Sequence, residues 1–166
     1  MRTMTARCLI GLGLCLSALP AWANVKLPAV IGNNMVLQQG QSIRSWGWAD
    51  AGEEVTVTLG ESQAKAMPGP NGRWQVELPA IAKPGGPLEM TVKGKNELKL
   101  TNILVGEVWA GSGQSNMQWA VNQSQDAAKE IAEAKYPKIR LFLVQLVPLG
   151  TPADDVGTPP NTLYGR

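Results

Sequence analysis

Histidine is absent from all 166 residues. That removes the commonest general base at neutral pH and the commonest metal ligand. Both cysteines, Cys8 and Cys15, fall among the first 23 residues. If that stretch is removed on export, the remaining chain has no disulfide and neither of the side chains a zinc site prefers. Charge of one sign is also lacking. Loss of Arg2 and Arg7 with the leader lowers Lys+Arg from 15 to 13, which equals Asp+Glu at 13, so the net charge becomes 0. Such a chain offers no basic footprint for nucleic acid or anionic lipid, and the basic pI of the whole sequence says nothing about partners.

The first 23 residues read as a secretory signal. Arg2 and Arg7 precede the apolar run "CLIGLGLCLSALPAWA", which closes on Ala21-Trp22-Ala23, the small-x-small pattern read by signal peptidase. The run is short of a full membrane span. Leu14 before Cys15 argues against lipoprotein processing. The expectation is cleavage after Ala23, an exported protein (periplasmic or extracellular), and no membrane attachment afterwards.

Residues 24–101 are short segments punctuated by turns. Val55, Val57 and Leu59 alternate with Thr56 and Thr58; Trp74, Val76 and Leu78 repeat the pattern. Leu88, Met90 and Val92, then Leu98 and Leu100, continue it. Period-2 alternation marks half-buried strands. The clusters "PGPNG" (68–72) and "PGGP" (84–87) supply turns. Strands at this spacing predict an antiparallel β-sandwich.

The pattern changes after Asn102. "ILVGEVWA" is a nearly continuous apolar run, as expected of a strand buried on both faces. A polar turn follows, Gly111-Ser112-Gly113-Gln114-Ser115-Asn116. "SQDAAKEIAEAKY" predicts a helix capped by Ser124 and stopped by Pro137, and "KIRLFLV" (138–144) predicts a second buried strand. Strand, turn, helix, strand is one right-handed βαβ unit of a parallel sheet. The remaining Pro/Gly/Thr-rich tail carries no periodic signal and reads as loop or disorder.

In open α/β sheets, sites form past the carboxyl ends of strands. Ser115 stands there, on a turn whose glycines could raise its hydroxyl and aim backbone N–H groups at a developing oxyanion. Gly-x-Ser spacing alone also fits an ordinary capped turn.

The longer wording is more specific. "LVGEVWAGSGQSNM" resembles the nucleophile block of the sialate O-acetylesterase group of SGNH-type carbohydrate esterases. "LPAVIGNNMVLQQ", "WGWADAGEEVTVTLG", "NGRWQVELPA" and "GGPLEMTVKG" resemble the β-sandwich preceding the catalytic domain in that group, so the likeness runs from about residue 25 to about residue 155. It implies three parts: signal peptide 1–23, β-sandwich 24–101, and residues 102–166 as the N-terminal fragment of an SGNH-type α/β esterase domain. It also implies that Ser115 is the nucleophile and contributes its own N–H to the oxyanion hole. The substrate class would be an acetylated sugar or glycan, with no metal or organic cofactor. The Asp and His partners of the serine lie further along in the family, so this chain is expected to be a truncated form, inactive alone and completed by a downstream polypeptide. The other reading is a secreted β-sandwich module that binds glycans or proteins without catalysis.

Other residues carry weaker expectations. Gln114 and Asn116, which flank the serine, either bind substrate or tie the turn to its neighbours. Trp46, Trp48 and Trp74 fit sugar-stacking platforms or packing, and packing is expected. Packing is also the expectation for Trp109 and Trp119, although either could line an acyl pocket. Asp154 and Asp155 read as solvated loop residues. Glu107 needs a hydrogen-bonding partner.

Overall fold

A computed structural model describes residues 24–144 and 150–156. The predicted signal peptide and the last ten residues lie outside them. Seven strands come first: β1 (Val36–Gln38), β2 (Ile43–Trp48), β3 (Val55–Leu59), β4 (Ser62–Ala66), β5 (Arg73–Leu78), β6 (Gly85–Lys93) and β7 (Glu97–Gly106). Two short 3-10 turns and one helix, α1 (Ala127–Glu133), follow.

The alternation read in the sequence is the alternation of burial. Val55, Val57 and Leu59 on β3 point inward, as do Trp74, Val76 and Leu78 on β5. Met90 and Val92 of β6 and Leu100 of β7 complete the same core. Burying these side chains is the main favourable term. Truncating a fully buried one such as Val57 to Ala leaves a void that a strand interior closes poorly.

Five strands form a mixed sheet in the order β1-β7-β6-β3-β4, and β2 and β5 form a separate antiparallel pair. Strand β4 lies against β5 without laddering to it, so the sheets follow one another round the core as a half-barrel. Strand β4 was not legible beforehand. It is an edge strand whose inward residues are Ala64 and Ala66, too small to give an apolar stripe. The β3–β4 hairpin turns on Gly60, whose φ of +57° suits a residue without Cβ.

Three features depart from the sequence expectation. First, the expected antiparallel arrangement includes one parallel pair: β1 aligns with β7, Val36 opposite Leu104 and Gln38 opposite Gly106. Second, the apolar run from Ile103 does not open a new sheet. It is the end of β7, which runs unbroken across the expected boundary between residues 101 and 102. The apparent change of pattern at Asn102 is a β-bulge. Leu88 faces Ile103 and Met90 faces Leu100, so β7 carries one more residue than β6 across that interval. Asn102 absorbs it at φ +57°, a left-handed conformation that asparagine tolerates. Without the extra residue, Leu100 and Ile103 would face opposite ways; with it, both are buried.

Third, no βαβ unit forms among the described residues. Residues 138–144 are not a strand. Both edges of β7 are already occupied, by β6 and β1, so no ladder position is left beside it. The helix is also shorter than predicted. Asp126, not Ser124, stands at its N-cap, and it buries no residue.

The N-terminal end of the described chain is tied down. Val25 is buried, its N–H donates to Asn96 Oδ1 (2.6 Å), and its carbonyl accepts from Asn96 Nδ2 (3.2 Å). Lys26 and Trp48 then exchange two backbone hydrogen bonds, of 2.8 and 3.0 Å.

Candidate active site

The serine segment leaves the sheet at the end of β7 through a polar clamp. Gln38, the last residue of β1, accepts the Val108 N–H on its Oε1 (2.8 Å) and donates from Nε2 to Glu107 (3.1 Å). Gln39 also donates its side-chain amide to Glu107, and its backbone N–H reaches the Gly106 carbonyl (2.9 Å). The partner that Glu107 requires is therefore this pair of carboxamides, and its role is structural. The parallel pairing of β1 with β7 brings the three residues together, so the contact was invisible to local sequence reading.

Beyond the clamp the chain is irregular until Ser115, which begins a 3-10 turn, Ser115–Gln118. The Gln114 carbonyl accepts the Met117 N–H (2.9 Å), and the Asn116 carbonyl accepts the Trp119 N–H (3.2 Å). The turn closes over Met117. A Cβ on Gly113 would stand 2.9 Å from Met117 Cγ, and one on Gly111 3.2 Å from Met117 Cε. These glycines let the backbone approach that side chain closely. Ser115, Gln114 and Asn116 are all exposed. At the head of such a turn the first N–H groups have no partner within it. An exposed hydroxyl beside N–H groups left unpaired by the turn is the kind of arrangement that acyl transfer uses.

The acid–base half of such a site is not assembled among the described residues. Asp155 is engaged elsewhere: both of its carboxylate oxygens lie 3.1 Å from the Ala29 N–H. Asp154 Oδ1 lies 4.0 Å from Arg73 Nη1. Asp155 is thus held rather than solvated, whereas Asp154, with its side chain 83% exposed, is the solvated loop residue expected; no hydrogen bond joins either to the serine among the described residues. Nor are Trp109 and Trp119 packed: they are 88% and 65% exposed. Ile131, Leu141 and Leu143 are likewise exposed, so this whole stretch presents apolar surface uncommon on a finished soluble fold. Arg140 returns to the sheet, where its Nη2 donates to Asn102 Oδ1 (3.3 Å).

No protein-family model matches the chain. In fold, it is similar to the crystal structure of a carbohydrate acetylesterase from Xanthomonas citri, with a TM-score of 0.75 and 32% identity over 80% of this chain and 31% of that one. The class to which the fold points is thus that of this carbohydrate acetylesterase. In sequence, it is 40% identical over 134 residues to the sialate O-acetylesterase of Rattus norvegicus, and 38% identical over 144 residues to that of Mus musculus. The chain belongs to the sialate O-acetylesterase family. A span of 79% of the chain, as with the mouse protein, has the serine turn within its bounds wherever it begins. The same matches cover 24% and 26% of the relatives, so the chain spans about a quarter of their length.

Proposed function

We propose that this chain is the nucleophile-bearing part of a serine O-acetylesterase acting on acetylated sugars. The observation that carries the reading is the exposed Ser115 at the head of its 3-10 turn, within the span shared with the relatives. In the reaction, Ser115 Oγ attacks the acetyl carbonyl carbon as a base takes its proton. Negative charge develops on the carbonyl oxygen, where the Ser115 N–H stabilises it. The C–O bond to the sugar then breaks, and the sugar oxygen leaves with the proton returned by the base. Water repeats the sequence on the acetyl-enzyme and releases acetate. Gln114 and Asn116, exposed on either side, are placed to contact the sugar.

The base is not histidine from this chain, which has none. We read the seven strands as the β-sandwich of the family, and residues beyond Gly106 as the start of an SGNH-type domain completed by further polypeptide. The exposed apolar side chains of residues 108–144 support that reading, because a covering partner would bury them. We also read the protein as exported after cleavage behind Ala23. The clasp of Asn96 on Val25 supports this, since it anchors in the fold the residues directly after that bond.

Loss of a triad member in a serine hydrolase costs on the order of a million-fold in turnover. The chain alone is therefore expected to hydrolyse an activated acetyl ester no faster than its Ser115→Ala variant. Supplied with a polypeptide equivalent to the rest of a family member, it should gain activity that Ser115→Ala abolishes. Ester hydrolysis that persists in the complemented Ser115→Ala variant would refute the assignment of the nucleophile.

A further inference from the structure

The outer face of the β2–β5 pair is not explained by the serine site. The inner face is core: Ile43 and Ser45 on β2, and Trp74, Val76 and Leu78 on β5, are buried. Trp46 and Trp48 are on the opposite face, partly exposed, and neither belongs to the hydrophobic core. Their positions two residues apart on one strand separate them by roughly 6.6 Å, about one sugar ring.

Residues directly opposite in an antiparallel pair share a face and lie side by side. Trp48 is opposite Arg73 on β5 and opposite Lys26 across the isolated bridge on its other side. Two cations therefore flank one indole. Lys26 is exposed, and the Arg73 side chain is 46% exposed. The carboxylate that approaches Arg73, Asp154 Oδ1 at 4.0 Å, is at the outer limit of an ion pair and belongs to a side chain 83% exposed. Next along the face, Trp46 is opposite Gln75, an exposed carboxamide. The third cation of the ribbon, Arg44, is paired with Glu77 at 3.0 Å.

Two aromatic platforms in line, bordered by a carboxamide and two cations, have the chemistry of a site for an acidic sugar. We propose that this face binds a glycan built of carboxylate-bearing pyranoses, its ring C–H faces on Trp46 and Trp48 and a carboxylate between Lys26 and Arg73. Charge complementarity selects the acidic sugar over a neutral one, because a neutral ring offers no anion to Lys26 or to Arg73 in place of the distant Asp154. The planar guanidinium of Arg73 suits a carboxylate, and the indoles supply area at little entropic cost. Asp154 occupies part of the carboxylate position and would be displaced. The β2–β5 pair belongs to a different sheet from β7, which leads to Ser115, so this face would hold a polymer while the serine acts on an acetyl group carried elsewhere along it.

The test is native electrophoresis of the full chain through gels containing polygalacturonate, polysialate or neutral hydroxyethylcellulose, with tryptophan fluorescence titration against the soluble polymers. None of the three carries an acetyl ester, so the result is independent of whether Ser115 is a nucleophile. Retardation by an acidic polymer and not by the neutral one is expected, and the two acidic gels tell uronate from sialate recognition. Trp48→Ala and Arg73→Gln should each weaken binding by about tenfold or more. Because Arg73 is exposed, its variant should keep the parent's unfolding midpoint, so the test stands even if the tryptophan variant folds poorly. Three results would overturn the proposal: no retardation by either acidic polymer, equal retardation by the neutral one, or binding lost with Arg73→Gln but retained with a folded Trp48→Ala. The last would indicate ion exchange without stacking.

Discussion

Gly47 is the position where one methyl group should do most damage. It sits on the buried face of β2, between Trp46 and Trp48. A Cβ there would stand 2.1 Å from the Lys26 carbonyl oxygen and 3.0 Å from the Trp74 ring. Neither neighbour yields easily: one is backbone, and the other fills the core at 1% exposure. To restore ordinary contact, the Lys26 strand must retreat by about 1 Å, which breaks or stretches its two hydrogen bonds to Trp48. Their loss costs about 1–3 kcal/mol together, and overpacking against Trp74 adds about 1–3 kcal/mol. Reduced freedom of the unfolded chain returns about 0.4–1 kcal/mol. Gly47→Ala should therefore destabilise the protein by about 1–5 kcal/mol, centred near 3 and a large share of the stability of an ordinary domain. Urea unfolding followed by tryptophan fluorescence would show a lower midpoint at unchanged slope. Hydrogen exchange would show lost protection at the Lys26 and Trp48 amides first. A midpoint shift equivalent to less than about 0.5 kcal/mol, within the range of ordinary surface substitutions, would refute the reasoning. The same variant moves Lys26 away from Trp48, so it should also weaken binding of an acidic glycan to that face.

Two further outcomes follow from the hydrogen-bond network. Gln38→Ala should release the Val108 N–H, accelerating its exchange by at least about tenfold, while Ile103 inside β7 stays protected; unchanged exchange at Val108 would show that the clamp does not hold the serine segment. Lys95 donates to the Asp50 carboxylate at 2.6 Å, and this bond raises its pKa above the ordinary 10.5. Because the folded value is the higher one, the stabilisation is complete below the ordinary lysine pKa and fades as pH climbs through the raised value. NMR titration should show Lys95 deprotonating above the ordinary 10.5, and Asp50→Asn should lower its pKa.

Much of the β part was legible because inward and outward positions on a strand are a local property. Val55, Val57 and Leu59, or Trp74, Val76 and Leu78, announce their buried face within a few residues. A turn near the serine was legible for a similar reason, but it falls at Ser115–Gln118 rather than across Gly111–Asn116. What misled was continuity. The apolar run from Ile103 looked like a new domain, whereas one residue, Asn102, had reset the register of an existing strand. Nothing local distinguishes a bulge from a boundary, because the bulge is defined by the strand opposite. The role of Glu107 was hidden likewise, since its partners, Gln38 and Gln39, are about 70 residues away in the chain.

By itself, then, the sequence determined the alternating faces of β3 and β5, the position of the serine, and the absence of histidine. The direction in which β2 faces was decided only by tertiary structure. Hydrophobicity alone would turn Trp46 and Trp48 inward. They face outward because Trp74 fills the core opposite and the Lys26 carbonyl closes over the same spot, leaving room for a residue with no Cβ. Gly47 must therefore point in, and the strand's parity carries both tryptophans to the surface beside Lys26 and Arg73.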